Sequence, residues 1–360
     1  MEVDTHKLVE KVGWIFKLLD CGYLLRNEEM NDHAKRVLLR IVFIQVDNLL
    51  KFSGRLKNRL FTEHAIDIIT KRTLEELTSK LEASYNNSFD IVRDKLSAHN
   101  QPIEILSLLD WWNSIDYSTI EILYDDAKAI QQALSPVHGI SFQSIKDYSQ
   151  LSIPSSNILS INRNSPQVSS DRVALAKPNT VAMIACHESQ EKAQIITSII
   201  DFLEIDFALT VVSNNPSTVY ERIAFDIGWM LAIIDLCSLI DNMFESNQHD
   251  RSLLDYWKDD MEGYDYLASI NQNRDAQIEE KLRLIRNKFA AHMDVNETVQ
   301  NLYRSFNNID LSSIYLYACS LINAFLNACR MDIRTQTFLI RNTPVSGVIA
   351  VNKEVTPFDN

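Results

Sequence analysis

The stretch WNSIDYSTIEILY at residues 112–124 returns as FNNIDLSSIYLY at residues 306–317, 194 positions later. Both copies read as the start of a helix. Asp116 and Asp310 stand as N-caps, and Ile115 with Ile120, like Ile309 with Ile314, is placed as a hydrophobic staple. Three more blocks recur in the same order. HKLVEKVGWIFKLLD (6–20) resembles HESQEKAQIITSIID (187–201), sharing His6/His187, Glu10/Glu191, Lys11/Lys192 and Asp20/Asp201 at an offset of 181. FIQVDNLLKF (43–52) resembles CSLIDNMFES (237–246) at 194, and IVRDKLSAH (91–99) resembles LIRNKFAAH (284–292) at 193. Four ordered blocks, nearly constant in offset after the first, identify two copies of one helical module. The smaller first offset leaves about a dozen extra residues in copy two, assigned to the region of Ser213-Asn214-Asn215-Pro216.

Outward from these blocks the chain divides into residues 1–135, copy one; 136–182, a linker; 183–332, copy two; and 333–360, a tail. Helical apolar spacing in copy one predicts helices near 4–25, 33–52, 62–84, 87–99 and 117–134. The linker holds Pro136, Pro154, Pro166 and Pro178 among many serines. In the tail, TQTFLIR and GVIAV flank Thr343-Pro344 as a short β-hairpin with no counterpart in copy one. The expected fold class is therefore all-α, two tandem helical bundles with this small β appendage.

Composition agrees. With 7 Gly and 8 Pro in 360 residues, the chain lacks the turn residues that a sandwich or barrel needs. No two glycines stand as G-x-G, which removes the dinucleotide fingerprint and the P-loop. Lys+Arg 35 against Asp+Glu 48 gives −13, a poor balance for sequence-independent coating of nucleic acid. Five cysteines without a C-x-x-C pair fit a reducing cytosol. The start MEVDTHKLVE is not a signal peptide, and the apolar run Ile227 to Ile240 is about one turn short of a bilayer and broken by Asp235. The expectation is a soluble cytoplasmic protein without a membrane partner.

Chemistry concentrates in the third block. Arg93-Asp94-Lys95-Leu96-Ser97-Ala98-His99 and Arg286-Asn287-Lys288-Phe289-Ala290-Ala291-His292 each join a permanent forked cation to a group that titrates near neutral pH. Such a pair suffices in principle to cleave RNA by 2′-hydroxyl attack without a metal or other cofactor. The pattern R-[DN]-K-x-[SA]-A-H resembles the HEPN superfamily, helical bundles that include toxin and defence ribonucleases, and its flavour is similar to members linked to abortive phage infection. The resemblance covers both modules but neither the linker nor the tail.

The resemblance implies an intramolecular pseudo-dimer in which Arg93, His99, Arg286 and His292 meet in one cleft. It implies that the arginines stabilise charge on the scissile phosphate, that the histidines act as general base or acid, and that Asp94 and Asn287 orient their neighbours. The product would carry a 2′,3′-cyclic phosphate. The partners to expect are RNA and an antitoxin or other protein, with room for further association of chains. Around an ideal helix, positions i and i+6 lie about 120° apart, so Arg and His of one copy share a face only if the helix bends or ends between them.

A second reading needs no catalysis: a helical interaction or regulatory module that binds a partner protein or a nucleotide. In it each His packs at a helix end and each Arg pairs with a carboxylate of its own bundle. Asp47 and Asp241, inside the apolar runs VDNLL and IDNMF, are the natural partners, with a structural or Arg-orienting role. Lys281, Arg283 and Lys288, with Lys95 in copy one, form basic surroundings that can draw RNA or simply make a solvated helix face. His6 and His187, with Cys186 adjacent, lack further ligands at metal spacing, and Trp111-Trp112 read as core packing.

Overall fold

A computed structural model of the chain describes residues 5–24, 32–86, 117–137, 219–246, 251–258, 264–287 and 311–328, with scattered helical positions between 192 and 207 and at 299 and 301. Among the described residues 91% are helical and none lies in a strand, so the fold is all-α. Copy one contributes α1 (Thr5–Leu24), α2 (Asp32–Thr62), α3 (Ile68–Asn86) and α4 (Tyr117–Leu134). Copy two contributes α5 (Val219–Phe244), α6 (Leu253–Trp257), α7 (Tyr264–Gln272), α8 (Ala276–Ile285) and α9 (Leu311–Ala328). The expected helix at 87–99, the caps Asp116 and Asp310, the Ser213–Pro216 insertion, the linker beyond residue 137 and the β-hairpin of the tail lie outside the described residues.

The repeat has a structural counterpart in α4 and α9. Each is 18 residues long, and they begin at Tyr117 and Leu311, immediately after Asp116 and Asp310.

Helix α1 lies along α2, and α3 packs against α2 and α4. The α1–α2 contact is close enough that a Cβ on Gly22 would come within 2.8 Å of Ile41 Cγ2 and 3.3 Å of Val42 Cγ2. Glycine is needed there because any side chain would hold the helices apart. Helix α2 runs ten residues past its expected end at 52 and takes up the start of the helix expected from 62. Gly54 faces open space, and Leu56 and Leu60 carry the buried stripe onward.

The end of α2 is a Schellman-type cap. His64 adopts the left-handed region at φ 56°, with Ala65 N–H donating to Leu60 O at 2.8 Å and His64 N–H to Phe61 O at 3.1 Å. Two residues later Asp67 restarts the chain as α3, accepting from Thr70 N–H at 2.7 Å. That hydrogen bond holds the Asp67 carboxyl below the usual aspartate range.

Helix α5 is the centre of the molecule. It contacts α1 and α2 of copy one as well as α6, α8 and α9 of its own. Its apolar stretch Phe225–Phe244 is longer than the run expected from sequence and, by length and composition alone, is long enough to cross a membrane. In this fold 94% of that window is buried inside the protein, which is the other situation that makes a helix apolar on every side. A single hydrophobic cluster extends from Leu8 and Trp14 through Phe43 to Trp229, Trp257 and Phe325. Phe207 packs edge-to-face on Trp229 at 5.5 Å and on Tyr315 at 5.1 Å.

Candidate functional site

Helix α8 carries the motif of copy two to the flank of α5. Asp275 caps α8 by accepting from Gln277 and Ile278 N–H, both at 3.0 Å. Its buried face, Glu279, Leu282 and Ile285, is the face toward the core. Past Ile285 the helix widens into a π-type turn at Arg286 and Asn287. The site residue Arg286 therefore sits where the regular ladder ends.

Three arginines and three carboxylates interlock here. Asp241 of α5 forms an ion pair with Arg283, Nη2 to Oδ1 at 2.8 Å, and accepts a hydrogen bond from Arg286 Nη1 on Oδ2 at 3.1 Å. Arg283 also lies 3.8 Å from Glu245, and Arg274 pairs with Glu245 at 2.7 Å and with Glu279 at 3.1 Å. The Arg274 guanidinium stands 5.2 Å from the Phe244 ring centroid. Tyr317 of α9 donates to Glu279. Burial, with that hydrogen bond and the Glu279 charge, raises the Tyr317 hydroxyl well above an ordinary tyrosine. Burial works against the charge of Arg283, yet Asp241 and Glu245 more than offset it and raise its pKa.

Cys237, one turn before Asp241, is pushed up to about 12 by burial, with Arg286 pulling the other way. It is a neutral thiol at physiological pH, not a nucleophile.

Arg286 is held on two sides. Nη1 is fixed by Asp241, and Nε donates to Asn287 Oδ1 at 3.1 Å. Nη2 has no hydrogen-bond partner among the described residues. The Arg286 side chain is 15% exposed, so most of the guanidinium is packed against its partners. Lys281, on the same helix, is exposed, whereas Arg283 turns toward Asp241 and Glu245, so the basic residues of α8 do not form one solvated face. In copy one Asp47 of α2 pairs with Lys51 at 2.6 Å. Arg93, Asp94, Lys95, His99, Lys288 and His292 lie outside the described residues.

Matching the copies residue by residue shows that the network is not duplicated. Copy one has Asp90 where copy two has Arg283, and Lys51 where copy two has Glu245. Both signs are reversed together, so the second arginine beside the motif belongs to copy two alone.

Sequence reasoning missed two buried polar groups. Lys192 Nζ donates to Asn242 Oδ1 at 3.1 Å, next to Asp241, while its repeat mate Lys11 is fully buried in copy one. The Lys11/Lys192 match and the paired Asp-Asn of 47–48 and 241–242 were the available signal. The other group is an ion cluster centred on Arg40 with Asp206 and Asp235. Arg40 matches Ile234 in the repeat, so no duplication marked it.

Among the described residues no group of three or more His, Cys, Asp or Glu is placed to hold a metal ion. Comparison with protein-family models, curated proteins and solved structures finds no match.

Proposed function

We propose that the chain is a metal-independent endoribonuclease of the toxin or phage-defence type, acting in the cytoplasm. It cleaves RNA by attack of the 2′-hydroxyl, with Arg/His pairs from two HEPN-like copies arranged as an intramolecular pseudo-dimer. The observation that carries this reading is the R-[DN]-K-x-[SA]-A-H motif at one position of both copies. The fixed orientation of Arg286 between Asp241 and Asn287 supports it. In this scheme Arg93 and Arg286 stabilise charge on the scissile phosphate, and His99 and His292 move the protons.

Arg93→Ala and Arg286→Ala, each tested in the full chain against a structured RNA, should reduce cleavage by about 100-fold or more with helical content unchanged. Cleavage unaffected by either change would overturn the assignment.

One observation favours the rival reading, a non-catalytic module for a partner protein or nucleotide. The carboxylates Asp241, Glu245 and Glu279 already offset the charges of Arg274, Arg283 and Arg286, and the chain is acidic at −13. Wild-type protein that binds RNA no better at 50 mM than at 500 mM salt, and leaves it uncut, would decide for that module.

A further inference from the structure

Arg40, on α2 of copy one, reaches into copy two. It grips Asp235 of α5 with two parallel hydrogen bonds, Nη1 to Oδ1 at 3.0 Å and Nη2 to Oδ2 at 2.8 Å. Nη2 also meets Asp206 Oδ2 at 3.2 Å and Oδ1 at 3.4 Å. The guanidinium stacks 4.5 Å from the Phe202 ring. All three charged side chains are 0% exposed.

The packing around this cluster is reciprocal. Helix α5 of copy two lies against α1 and α2 of copy one, and Arg40 of α2 meets Phe202, Asp206 and α5. Residues 202–206 follow directly on the block that matches α1, so each copy offers the same two elements to the other. The matched positions are Arg40 with Ile234, Ile41 with Asp235, and Leu25 with Asp206. Ile41 and Ile234 are completely buried. One side of a twofold-like contact is thus ionic and the other apolar.

We propose that the Arg40–Asp206–Asp235 cluster makes the packing of the two copies heterotypic: copy one accepts copy two, of its own chain or of another, and neither accepts its own kind. Two copies one would bury Arg40 against Ile41 without an acid. Two copies two would bury Asp206 and Asp235 against Ile234 without a base. A buried charge deprived of its partner is strongly destabilising, whereas the complete cluster is satisfied. Discrimination of this sort rests on what the wrong partner leaves unpaired. The proposal rests on the two-copy reading and is independent of RNA cleavage.

Charge exchange in the full chain tests it. Arg40→Glu alone, or Asp235→Arg alone, places like charges together and should lower the melting temperature by roughly 10 °C. Both changes in one chain should recover at least half of that loss. Two differently tagged chains, one carrying Arg40→Glu and the other Asp235→Arg, refolded together from denaturant, should copurify one to one, because copy one of each seats on copy two of the other. Single variants as stable as wild type, or no recovery in the doubly substituted chain, would overturn the proposal. Recovery within one chain but no mixed complex would overturn the two-copy reading and the proposal with it.

Discussion

Two guanidinium groups converge on the Asp241 carboxylate, from Arg283 at 2.8 Å and Arg286 at 3.1 Å, so its removal leaves two partly buried cations side by side. Asp241→Ala is therefore expected to destabilise the chain by about 1–3 kcal/mol in urea unfolding, reduced from the fully buried case because solvent screens part of the site. Asp241→Asn keeps one hydrogen-bond acceptor and should lose less. Burial, with Asp235 adding to it against the pull of Arg40, holds the Asp206 carboxyl well above the usual aspartate range. Between the unfolded and folded values the native chain carries a proton that the unfolded chain has released. Stability there falls as pH rises, at up to about 1.4 kcal/mol per pH unit. Asp206→Asn, neutral at every pH, should flatten that part of a stability–pH curve; an unchanged slope would place the titration elsewhere.

At the scale of elements, glycines inside helices have opposite roles that their sequence context does not distinguish. Gly22→Ala meets Ile41 Cγ2 at 2.8 Å, a branch methyl that cannot swing away. Overpacking of that kind costs about 1–3 kcal/mol and should exceed the roughly 1 kcal/mol gained in helix propensity. Gly54→Ala meets nothing within 4 Å and should stabilise α2 by about 0.5–1 kcal/mol. His64→Gly should also raise the melting temperature, since only glycine takes the left-handed region without strain. Thermal unfolding of the three variants checks all three signs. Helices α1 and α4 were legible because apolar periodicity marks the stretches they occupy. The length of α2 was not, because its last turns are held by the burial of Leu56 and Leu60 against the rest of the fold.

For the whole molecule, the all-α class was readable from the scarcity of glycine and proline and from helical apolar spacing. The pairing of Asp241 was also accessible, since a charge inside an apolar run needs an opposite charge. The Arg40 cluster was not, because its partners lie 166 and 195 residues away and the repeat carries isoleucine at the matching site. The motif itself rests on the duplicated sequence and on Arg286 and Asn287, the residues of it that the structure describes. The most direct measurement incubates the purified full chain with RNA in excess EDTA and identifies the new 3′ ends. The account predicts 2′,3′-cyclic phosphate termini, lost when His99→Ala and His292→Ala are combined; intact RNA, or cleavage that survives the double substitution, would contradict it.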